Sequence, residues 1–212
     1  MTKVKICGLR CPEDVRIVNA CLPDYVGFVF APASRRHISE REAWTLREGL
    51  DLRIQAVGVF VNQPVEWAAQ LCRSGLIDLV QLHGDEDEAY IQELKSGVPN
   101  PVIRAAAVGE NPPALFQTAA DYRLFDTAGA VRGGSGKSFR WELLRDCRDH
   151  PFFLAGGLHA GNVEEAIRQT EPFCVDVSSG VESSMEAASR KDFQKVKELV
   201  ERVRGTELKR KG

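Results

Sequence analysis

Residues 56–82 read AVGVFVNQPVEWAAQLCRSGLIDLVQL. Two apolar runs, AVGVFV (56–61) and DLVQL (78–82), enclose PVEWAAQLCRSG, which opens at Pro64 and stops at Gly75. Proline suits the first turn of a helix, where its missing N–H leaves no bond unmade, and glycine suits the residue just past a helix end. The two apolar runs lack the polar alternation of a sheet with one wet face. They fit strands covered on both faces, as in a parallel sheet. A strand, a helix and a second strand joined by short turns make one unit of an α/β fold.

The unit repeats in both directions along the chain. Further strands are predicted at VKIC (4–7), YVGFVF (25–30), PVIRAA (101–106), YRLFD (122–126), FFLAG (152–156) and CVDVS (174–178). Helices are predicted between them. Pro12 opens PEDVRIVNAC, and SERE at 39–42 is a capping box in which Ser39 and Glu42 satisfy each other's backbone N–H groups. DEDEAYIQELKSG (85–97) sets acids at the positive end of a helix dipole and a lysine near its other end. PPALFQTAA (112–120), WELLRDC (141–147), AGNVEEAIRQT (160–170) and KDFQKVKELVERVR (191–204) complete the set. Eight strands alternating with eight helices over one unbroken stretch predict a single-domain (β/α)8 TIM barrel over residues 1–205, with a short polar tail at 206–212. The competing arrangement, an open doubly wound sheet, usually has fewer strands.

Composition narrows the function classes. Of 212 residues, 43% are apolar and 27% charged, as in ordinary soluble globular proteins. The formal charge of −2 gives no field to draw nucleic acid or an anionic membrane. MTKVKICGLR at the start lacks the apolar core of a secretory signal, and no apolar run approaches the ~20 residues that span a bilayer. The six cysteines are scattered without a C-x-x-C pair, which argues against zinc and for reduced, cytoplasmic usage.

In a barrel of this kind, chemistry sits on the loops that follow the strands. Those positions hold Cys7, Ser34-Arg35-Arg36, Asn62, His83-Gly84-Asp85, Asp126, Gly156-Gly157 and the run Asp176 to Gly180, while Arg104 lies within the fifth strand. Glycines in the seventh and eighth loops let backbone N–H groups approach an anion, and these two loops are the usual phosphate site of the fold. Cys7 and Asp126 then form a candidate base and acid for proton shuffling without a metal. A thiol serves as base only if its pKa falls from ~8.5 toward neutrality. Each also has a plainer reading, Cys7 as core packing and Asp126 as a loop cap. The stretch FDTAGAVRGGSGKSFRW (125–141) ends like a nucleotide-binding loop, but the glycine needed five residues before Gly136 falls on Val131.

Together the segments KICGLR (5–10), GFVF and SRRHI (27–38), VGVFVN (57–62), VQLHGDE (80–86), FDT with GGSGKSFRW (125–141), LAGGL with NV (154–163) and VDVSSGVE (175–182) closely resemble the phosphoribosylanthranilate isomerases of tryptophan biosynthesis. The resemblance implies a cofactor-free Amadori rearrangement of a small phosphoribosyl substrate, with no metal; the sequence itself leaves monomer and homodimer both open. The resemblance also implies Cys7 as base and Asp126 as acid, Arg36 gripping the substrate carboxylate, His83 and Asp176 orienting the substrate, and Gly156, Gly157, Ser179 and Gly180 holding phosphate. The glycine-rich stretch after Asp126 then resembles the family's mobile sixth loop. Two departures stand out. SSMEAASRKD (183–192) lacks the usual Pro-Gly turn, and Arg140 replaces a usual acid. A histidine-pathway isomerase on the same barrel is the nearest rival, but that type carries an aspartate on its first strand, where this chain has Cys7. A barrel that binds phosphosugars without catalysis is the alternative from another class.

Overall fold

The computed structural model describes residues 1–113, 117–128, 139–147, 149–183 and 190–208. Eight parallel strands close into a barrel in sequence order: β1 (Lys3–Cys7), β2 (Tyr25–Val29), β3 (Gln55–Phe60), β4 (Leu79–Leu82), β5 (Val102–Val108), β6 (Tyr122–Thr127), β7 (Phe152–Leu154) and β8 (Cys174–Val177). β8 pairs with β1, so Lys5 lies opposite Asp176 and Ile6 opposite Val177. The expected (β/α)8 barrel is the fold observed.

Alternation of side chains along each strand builds two cores. Ile6, Phe28, Val80 and Val175 face outward into the layer beneath the helices. Tyr25, Val57, Leu79, Ile103, Leu124, Phe153 and Cys174 fill the barrel interior. Both faces are dry, which is why the strands read as unbroken apolar runs.

Six α-helices are described: α1 (Pro12–Cys21), α2 (Glu40–Glu48), α3 (Val65–Arg73), α4 (Glu88–Gly97), α5 (Val163–Thr170) and α6 (Phe193–Leu208). The Ser39–Glu42 capping box forms as expected at the start of α2. Asp87 caps α4, accepting from the Tyr90 N–H at 2.9 Å. Of the four acids expected at that helix start, Glu86 turns away instead and accepts from the backbone N–H groups of Asn62 and Gly84.

Two predicted helices differ. WELLRDC forms only a single 3-10 turn, Trp141–Leu144. In PPALFQTAA, residues 114–116 lie outside the described residues, and the flanking residues 112–113 and 117–120 are not helical. Two successive prolines remove backbone donors there, which disfavours a helix start beyond its first position. The C-terminal helix continues past 205 to Leu208, with Thr206 buried and donating to the Arg202 carbonyl at 2.8 Å. Residues 209–212 of the expected tail fall outside the described residues, as do 129–138 of the sixth loop and 184–189, where the Pro-Gly turn is missing.

Candidate active site

The C-terminal ends of the strands enclose an open cleft. Cys7, Arg36, His83, Asp126 and Asp176 all line it, as do Gly156, Gly157 and Ser179. Gly180 does not line it. A Cβ on Gly180 would lie 2.0 Å from the Leu158 carbonyl oxygen, so this glycine lets the turn after β8 press against the loop after β7.

The cleft has three chemically distinct parts. One wall is apolar, made by Val29, Ala31, Val59 and Val61 at the ends of β2 and β3. Arg36 stands beside it. Its Nε donates to Glu182 Oε1 at 2.6 Å and its Nη2 to Glu182 Oε2 at 3.2 Å. This two-pronged grip fixes the guanidinium, and its Nη1 makes no hydrogen bond among the described residues. Lys191 and Arg35 also donate to the Glu182 carboxylate. Burial alone would raise the Glu182 pKa, but Arg36 and Lys191 outweigh it and hold the carboxyl at about 2.

The opposite wall is backbone. Gly156 and Gly157 follow β7 with φ of +87° and +64°, the left-handed region that glycine enters without penalty. A side chain on Gly156 would meet Thr127 Oγ1 at 2.2 Å. The backbone N–H groups of both glycines are unengaged among the described residues. Ser179 begins the 3-10 turn Ser179–Val181 next to them.

Between these walls lie the titratable groups. Cys7 ends β1 and Asp126 lies near the end of β6, with β8 and β7 between them around the ring. Gly27 on β2 pairs with Cys7 and leaves room for it. Burial pushes the Cys7 thiol up, against the pull of Lys5, Lys191 and Arg36, and the net direction is upward. The surroundings of Cys7 therefore do not by themselves supply the lowered thiol that a base requires. Asp126 Oδ1 accepts from the Thr127 N–H at 2.8 Å, and Oδ2 lies 3.4 Å from His83 Nε2.

The floor of the cleft holds polar residues that sequence reasoning missed. Lys5, fully buried, donates to Asp176 Oδ2 and to Gln81 Oε1, each at 2.7 Å. Desolvation would lower its pKa, but Asp176 and Cys7 overcome it and keep the ammonium above the ordinary lysine range. Asp176 Oδ1 is buried without a hydrogen-bond partner among the described residues. Lys5 and Gln81 each sit two residues before a predicted site residue, which is the spacing of one strand face. Glu182 and Lys191 were also missed, because their partners lie across the barrel closure. Among the described residues, no group of three or more His, Cys, Asp or Glu side chains is placed to hold a metal.

A profile of the N-(5′-phosphoribosyl)anthranilate (PRA) isomerase family matches residues 4–202. The chain belongs to the phosphoribosylanthranilate isomerase family. It is 48% identical over 207 residues to the N-(5′-phosphoribosyl)anthranilate isomerase of Endomicrobium trichonymphae, covering 96% of this chain and 99% of that protein. Its fold superposes on the phosphoribosyl anthranilate isomerase of Thermus thermophilus with a TM-score of 0.84 at 30% identity, covering 96% of this chain and 99% of that one. A further isomerase structure, with a TM-score of 0.79 at 31% identity over 97% of this chain and 100% of that one, holds reduced 1-(o-carboxyphenylamino)-1-deoxyribulose 5-phosphate.

Proposed function

We infer that the protein isomerises N-(5′-phosphoribosyl)anthranilate to 1-(2-carboxyphenylamino)-1-deoxyribulose 5-phosphate in tryptophan biosynthesis. The observation that carries this reading is the order of the cleft: an apolar wall with a fixed arginine, an acid–base centre, then free backbone N–H groups. An aromatic carboxylate, a reacting sugar carbon and a phosphate follow one another in that order in the substrate. The product analogue held by the related isomerase has the same three parts.

The chemistry follows from these groups. Asp126 gives a proton to the furanose ring oxygen as the bond from C1 to that oxygen breaks, and the nitrogen lone pair forms a protonated imine at C1. Cys7 takes the proton from C2, which the imine has made acidic, and the electrons move into a C1–C2 double bond. The resulting enolamine takes a proton at C1 and loses one from the C2 hydroxyl, giving the ketone. The free face of Arg36 takes the anthranilate carboxylate, a planar partner for a guanidinium. The N–H groups of Gly156, Gly157 and Ser179 take the phosphate, with Gly180 closing the turn that presents them. Asp176 and His83 orient the sugar.

The test is consumption of N-(5′-phosphoribosyl)anthranilate by the purified protein without added metal or nucleotide. Turnover falling by ~10²-fold or more in both Cys7→Ala and Asp126→Asn is expected of an acid–base pair. A folded, inactive parent that still binds a reduced substrate analogue would instead favour the binding-only barrel. Turnover only of a histidine-pathway ribonucleotide would favour the rival isomerase.

A further inference from the structure

A continuous polar chain crosses the barrel from β8 through β1 and β4 to β6. Asp176 accepts from Lys5, Lys5 donates to Gln81, Gln81 contacts His83 at 2.9 Å, and His83 faces Asp126. The donor inventory fixes every link. An ammonium has only donors, so the Gln81 atom it touches must be the amide oxygen. The amide nitrogen, which also has only donors, therefore faces His83 Nδ1. Nδ1 must be the acceptor, and the ring proton must sit on Nε2, the atom 3.4 Å from Asp126.

From this geometry we propose that Lys5 and Gln81 are positioning residues that hold His83 in its Nε2–H tautomer, so that its N–H points at Asp126. The consequence lies in proton donation. When Asp126 gives up its proton, the carboxylate left behind accepts from the Thr127 N–H on Oδ1 at 2.8 Å, and its Oδ2 lies 3.4 Å from His83 Nε2. In this tautomer both neighbours present an N–H to the carboxylate. The opposite tautomer would aim a nitrogen lone pair at that oxygen. Ionisable groups facing the same cleft are Cys7 and Lys5 on β1, Arg36 after β2, Asp126 on β6 and Asp176 on β8.

The inference rests on Asp126 as the proton donor, and nitrogen-15 NMR of the imidazoles separates the two. Four histidines are present, and His83→Asn identifies the signals of interest. In the unsubstituted protein, Nε2 is expected to carry the proton and Nδ1 to be bare. In Gln81→Glu the introduced carboxylate accepts from both sides and draws the proton to Nδ1, with turnover falling about tenfold or more and KM within about twofold. Gln81→Met, which keeps the volume and offers no donor, should leave a mixture of tautomers. A proton on Nδ1 in the unsubstituted protein overturns the relay whatever Asp126 does. Full turnover in Gln81→Glu with the proton still on Nε2 also overturns it. Full turnover in Asp126→Asn with unchanged His83 signals would remove the acid assignment on which the relay's function depends.

Discussion

Cys7 illustrates how far a residue's role can be read before its surroundings are known. Its place at the end of a strand and its chemistry single it out from the sequence, but its titration does not follow from either. Desolvation pushes the thiol up more strongly than Lys5, Lys191 and Arg36 pull it down. Its own surroundings therefore favour the protonated thiol. In the proposed reaction the protonated imine supplies the missing positive charge next to it, so a thiol acting as base there is competent only once the substrate's ring has opened. That arrangement spares the resting enzyme a reactive thiolate. The alkylation rate of Cys7 by iodoacetamide, followed by peptide mass spectrometry, should therefore rise with pH around a midpoint above that of free cysteine. A midpoint at or below the free thiol would contradict the upward shift. The residues that were missed are of a different kind. Lys5 and Gln81 were visible as polar residues inside apolar runs, but nothing along the chain says that β1 and β4 face each other across a barrel floor.

The strands and most of the helices were legible because their signals are local. Apolar runs, a capping box and an N1 proline each act within a few residues, and each forms where expected. The failures are local too. Pro112 and Pro113 oppose a helix in their segment, and the run from Trp141 to Leu144 sustains only a single 3-10 turn. What could not be read is the fit between neighbouring strands. On β2, Gly27 is a case in point: in sequence it is one glycine in an apolar strand. In the barrel, a Cβ there would lie 2.6 Å from Cys7 Sγ and 3.0 Å from Cys7 Cα. Gly27→Ala must therefore push Cys7 off its position while leaving the core largely intact. Turnover should fall about 10- to 100-fold, since small misplacements of a reacting group are costly. The melting temperature should drop by only a few degrees, as for an overpacked site costing about 1–3 kcal/mol. Unaltered kinetics in this variant would show that the Cys7 position is not what the strand pairing protects.

At the scale of the molecule, the critical feature is where the ring closes. β8 must find β1 across nearly the whole chain, and the join is reinforced on its functional side. Ser178 Oγ donates to the Cys7 carbonyl at 2.8 Å, and the Lys191 N–H donates to Asp14 at 2.9 Å. Glu182 gathers Arg35, Arg36 and Lys191 onto one buried carboxylate, tying the loop after β2 to the segment after β8. All but the Glu182–Lys191 pair join residues far apart in sequence, which is why no local pattern announced them. If Arg36 takes the substrate carboxylate as proposed, these contacts couple stability to substrate binding, because the carboxylate that locks the closure also holds Arg36 at the cleft. The sign of the pH dependence follows from the depressed pKa. Glu182 falls from an ordinary 4.5 to about 2 on folding, so its contribution is fully present above about 4.5 and is lost as pH falls through about 2. That shift corresponds to about 3 kcal/mol. Glu182→Gln should thus lower unfolding free energy by about 3 kcal/mol at pH 7, and raise KM through the loosened Arg36. Urea unfolding of both proteins at pH 7, 5 and 3 checks this: the gap should be similar at the first two and narrower at the third. A gap that stays constant down to pH 3 would mean that the ionised carboxylate is not what holds the closure.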